Sequence, residues 1–114
     1  MNVLLIFKIL AALLTAATGL LALVKPTAVY GFTGLTATGA RGISEIRAIF
    51  GGLFIALGIA PLFLGATAYM VLGVGYLAIA AARLASIVID RSRDSSNLIS
   101  LAIEIVCGAV LIWR

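Results

Sequence analysis

Histidine is absent from this 114-residue chain, and cysteine occurs once, at Cys107. The first absence removes the commonest metal and haem ligand and the usual general base. The second excludes an intrachain disulfide and every paired-cysteine metal or redox motif. No glycine-rich phosphate loop stands in their place, so the sequence predicts no metal site, no cofactor and no enzymatic activity. Charge is scarce too. Asp and Glu number four against eight Lys and Arg, giving a net charge of +4. Together they make up 11% of the chain, where a soluble domain carries about 25%. The basic residues are scattered over helix ends and connections, as the positive-inside effect produces, so no nucleic-acid partner is expected.

What the chain has in excess is apolar side chain. Hydrophobic residues make up 64% of it and the mean hydropathy is +1.29, against roughly 45–50% apolar residues in a soluble domain. A hydrocarbon core of about 30 Å takes about 20 helical residues per crossing, so four crossings use up the chain. The sequence predicts an all-α integral membrane four-helix bundle, one transmembrane domain over residues 1–114. Its helices are expected at about 3–24, 44–64, 68–89 and 97–113, with membrane lipid as the first partner.

The run from Val3 to Val24 reads as a retained membrane helix rather than a signal peptide. Its one base, Lys8, lies inside the run, and the run exceeds a typical signal h-region. Lys8, Ala12, Thr15, Gly19 and Ala22 share its small, polar face, which should look inward. Lys25–Pro26 ends the helix. Thr27 to Gly42 is the longest connection and is expected to be an interfacial loop anchored by Tyr30 and Phe32, or alternatively a lid or re-entrant loop.

Ser44 is a reasonable N-cap for the second helix, with Glu45 in its first turn and Pro61 as a kink near its far end. Gly51 and Gly52, with Gly73 and Gly108 on the third and fourth helices, are the expected points of close helix packing. On the third helix, Tyr69, Gly73, Tyr76, Ala80, Arg83, Ile87 and Asp90 form one stripe at spacings of four and three, the expected interior face. The run Asp90 to Ser96 is a water-loving loop. Asn97, Leu101, Glu104, Gly108 and Leu111 share the inward face of the fourth helix. The bases Lys25, Arg41, Arg91 and Arg93 gather on one side, which places those loops in the cytoplasm of a bacterial inner membrane and both termini outside. Tyr69 and Trp113 then fall near the outer interface.

Arg83 lies seven residues before Asp90, and Glu104 seven residues after Asn97. Antiparallel helices bring both to one depth, about 10 Å below the surface at 1.5 Å per residue. Glu45 and Arg47 fall at or just above that level. An isolated charge in the middle of a membrane costs at least about 2.5–3.5 kcal/mol on insertion scales. A shared network is therefore expected, with Arg83 bridging Glu104 and Glu45, and Arg47 reaching Glu45, Asp90 or the interface. Such a cluster serves as a structural clasp or as a binding site.

The string Glu45-Ile46-Arg47-Ala48-Ile49-Phe50-Gly51-Gly52 resembles the signature Glu-x-Arg-Ala-x-Phe/Tyr-Gly-Gly of an uncharacterised family of small bacterial four-helix membrane proteins, a domain of unknown function. Arg83, Asp90 and Glu104 match that family's later arginine, loop aspartate and fourth-helix glutamate. Asp90-Arg91 departs from the Asp-Gly often found there. The likeness runs from about Ser44 to the C-terminus, and the architecture is similar to that of DoxX-like membrane proteins. The resemblance implies a four-helix fold and this charge set, and no established activity. Small multidrug transporters depend on a glutamate in the first helix, where this chain has only Lys8. Fluoride channels carry a phenylalanine pattern that does not accompany Gly39-Ala40-Arg41-Gly42. The functional expectation is a non-enzymatic accessory or scaffold subunit that packs with other membrane proteins or with itself. The alternative is transport of an ion, proton or small solute, or lipid or quinone binding, through the Glu/Arg cluster.

Overall fold

The computed structural model describes residues 2–114, and every regular element among them is helical. The elements are α1 (Val3–Val24), α2 (Val29–Thr33), α3 (Ala40–Leu64), α4 (Ala66–Ile89) and α5 (Ser95–Ile112). All but α2 are long and apolar enough to cross a membrane.

Asn2 caps α1 by accepting the Leu5 N–H at 2.7 Å, which satisfies one of the orphan donors of the first turn. The helix closes where the Lys25 N–H bonds the Leu21 carbonyl, just before Pro26. The connection that follows is more ordered than expected. A 3-10 turn at Pro26–Ala28 leads into α2, which stops at Gly34 with φ +72°, a left-handed position that suits glycine. Val29 of α2 is fully buried against Ala22 and Ile46, with Tyr30, Ala37 and Phe50 around them. Burying Val29 is what turns a polar-looking loop into a folded wedge.

The second long helix starts at Ala40 rather than Ser44, so Ser44 does not cap it. The first turn is already closed by the Ile43 N–H on the Gly39 carbonyl, and an Arg41–Glu45 pair at i, i+4 spans it. Residues Ile46–Leu53 of α3 are π-helical, with i→i+5 hydrogen bonds and wider turns. Their two buried residues, Ile46 and Gly51, are accordingly five apart. Ordinary α-helix resumes at Phe54 and buries Gly58 and Pro61. Both α4 and α5 begin two residues earlier than expected, α4 directly after Gly65 at φ +81°.

In space α1 lies along α3, and α4 lies along α5 as an antiparallel hairpin. The two pairs meet where Phe54–Leu64 of α3 touches α4 and where α1 touches α5. The first pair is a backbone contact. A Cβ on Gly58 would sit 2.5 Å from the Ala16 nitrogen and 2.6 Å from the Ala12 oxygen. Between the pairs lies a core of Ala11, Ala12, Tyr69, Leu72, Cys107 and Leu111. Tyr69 is thus interior, as the α4 stripe predicts, while Trp113 is exposed.

One polar contact crosses this core. Thr15 Oγ1 donates to the Ala11 carbonyl at 2.8 Å, which uses its single proton. Tyr76 therefore donates its hydroxyl to Thr15. Interhelical bonds of this kind contribute about 0.6 kcal/mol on average and up to about 1.7. Tyr76→Phe is expected to lower unfolding free energy within that range, measured by denaturant titration in detergent. Thr15→Val should lose a similar amount, and the double variant little more than either.

Candidate functional site

The hairpin geometry of α4 and α5 sets the polar centre of the molecule. Arg83 and Glu104 face each other across it, and the guanidinium grips the carboxylate with two bonds. Nε donates to Oε1 at 2.7 Å and Nη2 to Oε2 at 2.6 Å. Nη1 donates to Asn97 Oδ1, also at 2.7 Å. Asn97 passes the link onward, its amide donating to the Ser92 carbonyl at 2.9 Å and to Ser92 Oγ at 3.0 Å. A chain of polar contacts therefore runs from Glu104 to the loop between the two helices. That loop turns at Arg91, which holds φ +56°.

Burial grades this chain. The Glu104 side chain is 10% exposed and that of Arg83 29%. The planar fork of arginine matches a carboxylate with both bonds parallel and keeps its charge in an apolar surround. No buried side-chain nitrogen or oxygen among the described residues lacks a hydrogen-bond partner. No group of His, Cys, Asp or Glu among them could hold a metal ion.

The other members of the expected network lie elsewhere. Glu45 is exposed and pairs with Arg41 one turn earlier on α3. Arg47 is exposed and forms no ion pair among the described residues. Asp90 is exposed at the end of α4 and accepts from Ser86 Oγ at 2.8 Å. The bridge from Arg83 to Glu45 is not formed, and α2 is the physical reason. It packs against α1, beside Ile46 of α3, and reaches α5, so it occupies the space between the head of α3 and the α4–α5 hairpin. The contact between α3 and α4 is left mainly to the far half of α3.

The glycines divide similarly. A Cβ on Gly51 would lie 3.0 Å from Leu23 Cβ, one on Gly73 2.8 Å from Leu111 Cβ, and one on Gly108 2.5 Å from Leu77 Cδ2. All three sit at helix contacts. Gly52 is exposed, and the nearest atom to its added Cβ is the Arg47 carbonyl oxygen of its own helix, at 4.0 Å. Gly52 follows Gly51 directly, and consecutive residues of a helix point roughly 100° apart, so it faces away from the contact that Gly51 makes.

Asn97 is the site residue that spacing alone left without a role. It was legible only as a member of the α5 stripe, seven residues before Glu104. Asn97→Ala removes the acceptor of one charged hydrogen bond. It is expected to cost about 1.5–3 kcal/mol in a thermal or denaturant unfolding measurement, with Ser92→Ala costing less because the Ser92 carbonyl still accepts.

No curated protein and no solved structure matches this chain. A family model described as a domain of unknown function matches residues 3–114. The match takes in all four long helices, including α1, which lies outside the stretch that begins at Ser44. The chain belongs to this family, DUF4345.

Proposed function

We propose that this is an integral membrane protein of the bacterial inner membrane, a four-helix bundle with both termini outside. In this reading it is a non-enzymatic accessory or scaffold subunit that packs with other membrane proteins or with itself. The observation that carries the reading is the closed polar set. Arg83 binds Glu104 through two N–H groups and Asn97 through a third, so the buried polar groups serve one another and hold α4 to α5. The outward surface is apolar along every long helix, with Phe7, Leu14, Leu53, Phe63, Val74, Ile89 and Val106 all exposed. Such a surface suits lipid or another membrane helix. A transport or binding site drawing on Glu45, Arg47, Arg83 and Glu104 together fits less well, because the four do not converge.

Purification from the native membrane in mild detergent, with intact-mass analysis of the particle, tests the role. A stoichiometric protein partner, or defined multiples of this chain, is the expected result. A lone chain carrying a stoichiometric ion, quinone or solute would overturn it. The clasp has its own test: exchanging the two charges, as Arg83→Glu with Glu104→Arg, should recover most of the stability lost by either change alone.

A further inference from the structure

We propose that the outward face of α3 joins two copies of this chain side by side, with Glu45 of each copy facing Arg47 of the other. This deepens the scaffold reading and rests on its membrane setting. The core side of α3 carries Ile46, Gly51, Gly58 and Pro61. Away from that side lie Ser44, Ala48, Gly52 and Ala56, four residues apart and all exposed. In an uninterrupted α-helix each step of four residues overshoots a turn by about 40°, so such a row would wind around the helix. The wider turns of Ile46–Leu53 hold more than four residues each and take back that drift, which leaves the row straight. A straight row of small residues lets a second helix approach closely.

Charge identifies the occupant. Arg47 stands on one edge of the row and Glu45 on the other, and both are exposed. Arg47 has no ion-pair partner among the described residues, and Glu45 has only Arg41 in an exposed i, i+4 pair. Arg47 sits seven residues inside α3, and an unpaired charge that far along a membrane helix is expensive. Two copies inserted with the same topology can be related only by a two-fold axis along the membrane normal. Such an axis sets opposite edges of the two rows against each other. It therefore pairs the Glu45 edge with the Arg47 edge twice, once on each side of the contact. The same face laid against a partner lacking an acid at this level would leave Arg47 unanswered.

The test uses the full-length protein in proteoliposomes and in mild detergent. Carbonate extraction first checks the underlying reading: release of the chain without detergent would sink the membrane setting and this inference with it. In detergent, sedimentation should give two copies per particle. Gly52→Ile should raise the dissociation constant by about tenfold or more, equivalent to about 1.4 kcal/mol or more, while the unfolding midpoint at high dilution should not fall, since an added Cβ at Gly52 meets only the Arg47 carbonyl oxygen of its own helix, at 4.0 Å. Arg47→Glu or Glu45→Arg alone should weaken association, and the two changes in one chain should restore it. Ala48→Cys should form a disulfide between copies under oxidation, and Val88→Cys, on the exposed face of α4, should not. A monomeric parent, an unaffected Gly52→Ile variant, or failure of the charge exchange to rescue would overturn the proposal. A different protein seated on this face would overturn it too, while leaving the scaffold reading in place.

Discussion

Arg83→Met is expected to lower the unfolding free energy by about 3–5 kcal/mol, the usual consequence of stripping one partner from a buried ion pair. Glu104 would be left 10% exposed with neither of its guanidinium bonds. Glu104→Leu should cost less, because Arg83 is 29% exposed and its long stem can carry the charge outward. The double variant Arg83→Met with Glu104→Leu should be more stable than Arg83→Met alone and close to the parent. Replacing both members of a buried pair with apolar side chains of similar volume is often neutral or better. Equilibrium unfolding of the four proteins in one detergent closes the double-mutant cycle. Simple addition of the two single losses in the double variant would show that the pair does not act as a unit.

Gly58→Ala should be nearly as damaging for its size. Alanine is the better helix former by about 0.8–1.0 kcal/mol, so a free surface position would gain from the change. At Gly58 the added methyl meets backbone of α1, the Ala16 nitrogen at 2.5 Å and the Ala12 oxygen at 2.6 Å. Neither atom can swing aside as a side-chain tip would, so α1 and α3 must separate. The resulting strain is of the order of about 1–3 kcal/mol, and the net effect is a loss. Gly75→Ala on α4 is the matched control: nothing lies within 4 Å of its added Cβ, so it should be neutral or mildly stabilising. If the two variants unfolded at the same denaturant concentration, α1 and α3 would not be in backbone contact.

Periodicity made much of this legible. The inward face of α1 was readable from Ala12, Thr15, Gly19 and Ala22, all buried, while Lys8, expected on the same face, is only half-buried. On α4 and α5 the stripes through Gly73, Ala80 and Ile87 and through Glu104, Gly108 and Leu111 are likewise buried. Matching depths across a hairpin were enough to put Arg83 beside Glu104. At the head of the second helix only depth put Glu45 and Arg47 with Arg83 and Glu104, and depth does not say which way a side chain faces. The π-helical turns at Ile46–Leu53 reset the facing of that stretch. No residue in Ile46-Arg47-Ala48-Ile49-Phe50 announces a wide turn. The wedge at Val29 was equally hidden, because five residues with one buried valine carry no periodic signal. Those two features together separate Glu45 and Arg47 from the charges they were expected to join.

The link between Arg83 and Glu104 also bears on biosynthesis, if the chain spans a membrane as proposed. The two residues stand 21 positions apart, and α4 leaves the ribosome first. During that interval Glu104 is missing, and Arg83 is an uncompensated charge in an otherwise apolar α4, which raises the cost of its release into lipid. Emergence of α5 supplies the missing acid, and the turn anchored by Asn97 on Ser92 brings it to the right level. Entry of the two segments is then one concerted event, and a chain truncated before Ser95 should linger at the insertion machinery or be degraded there.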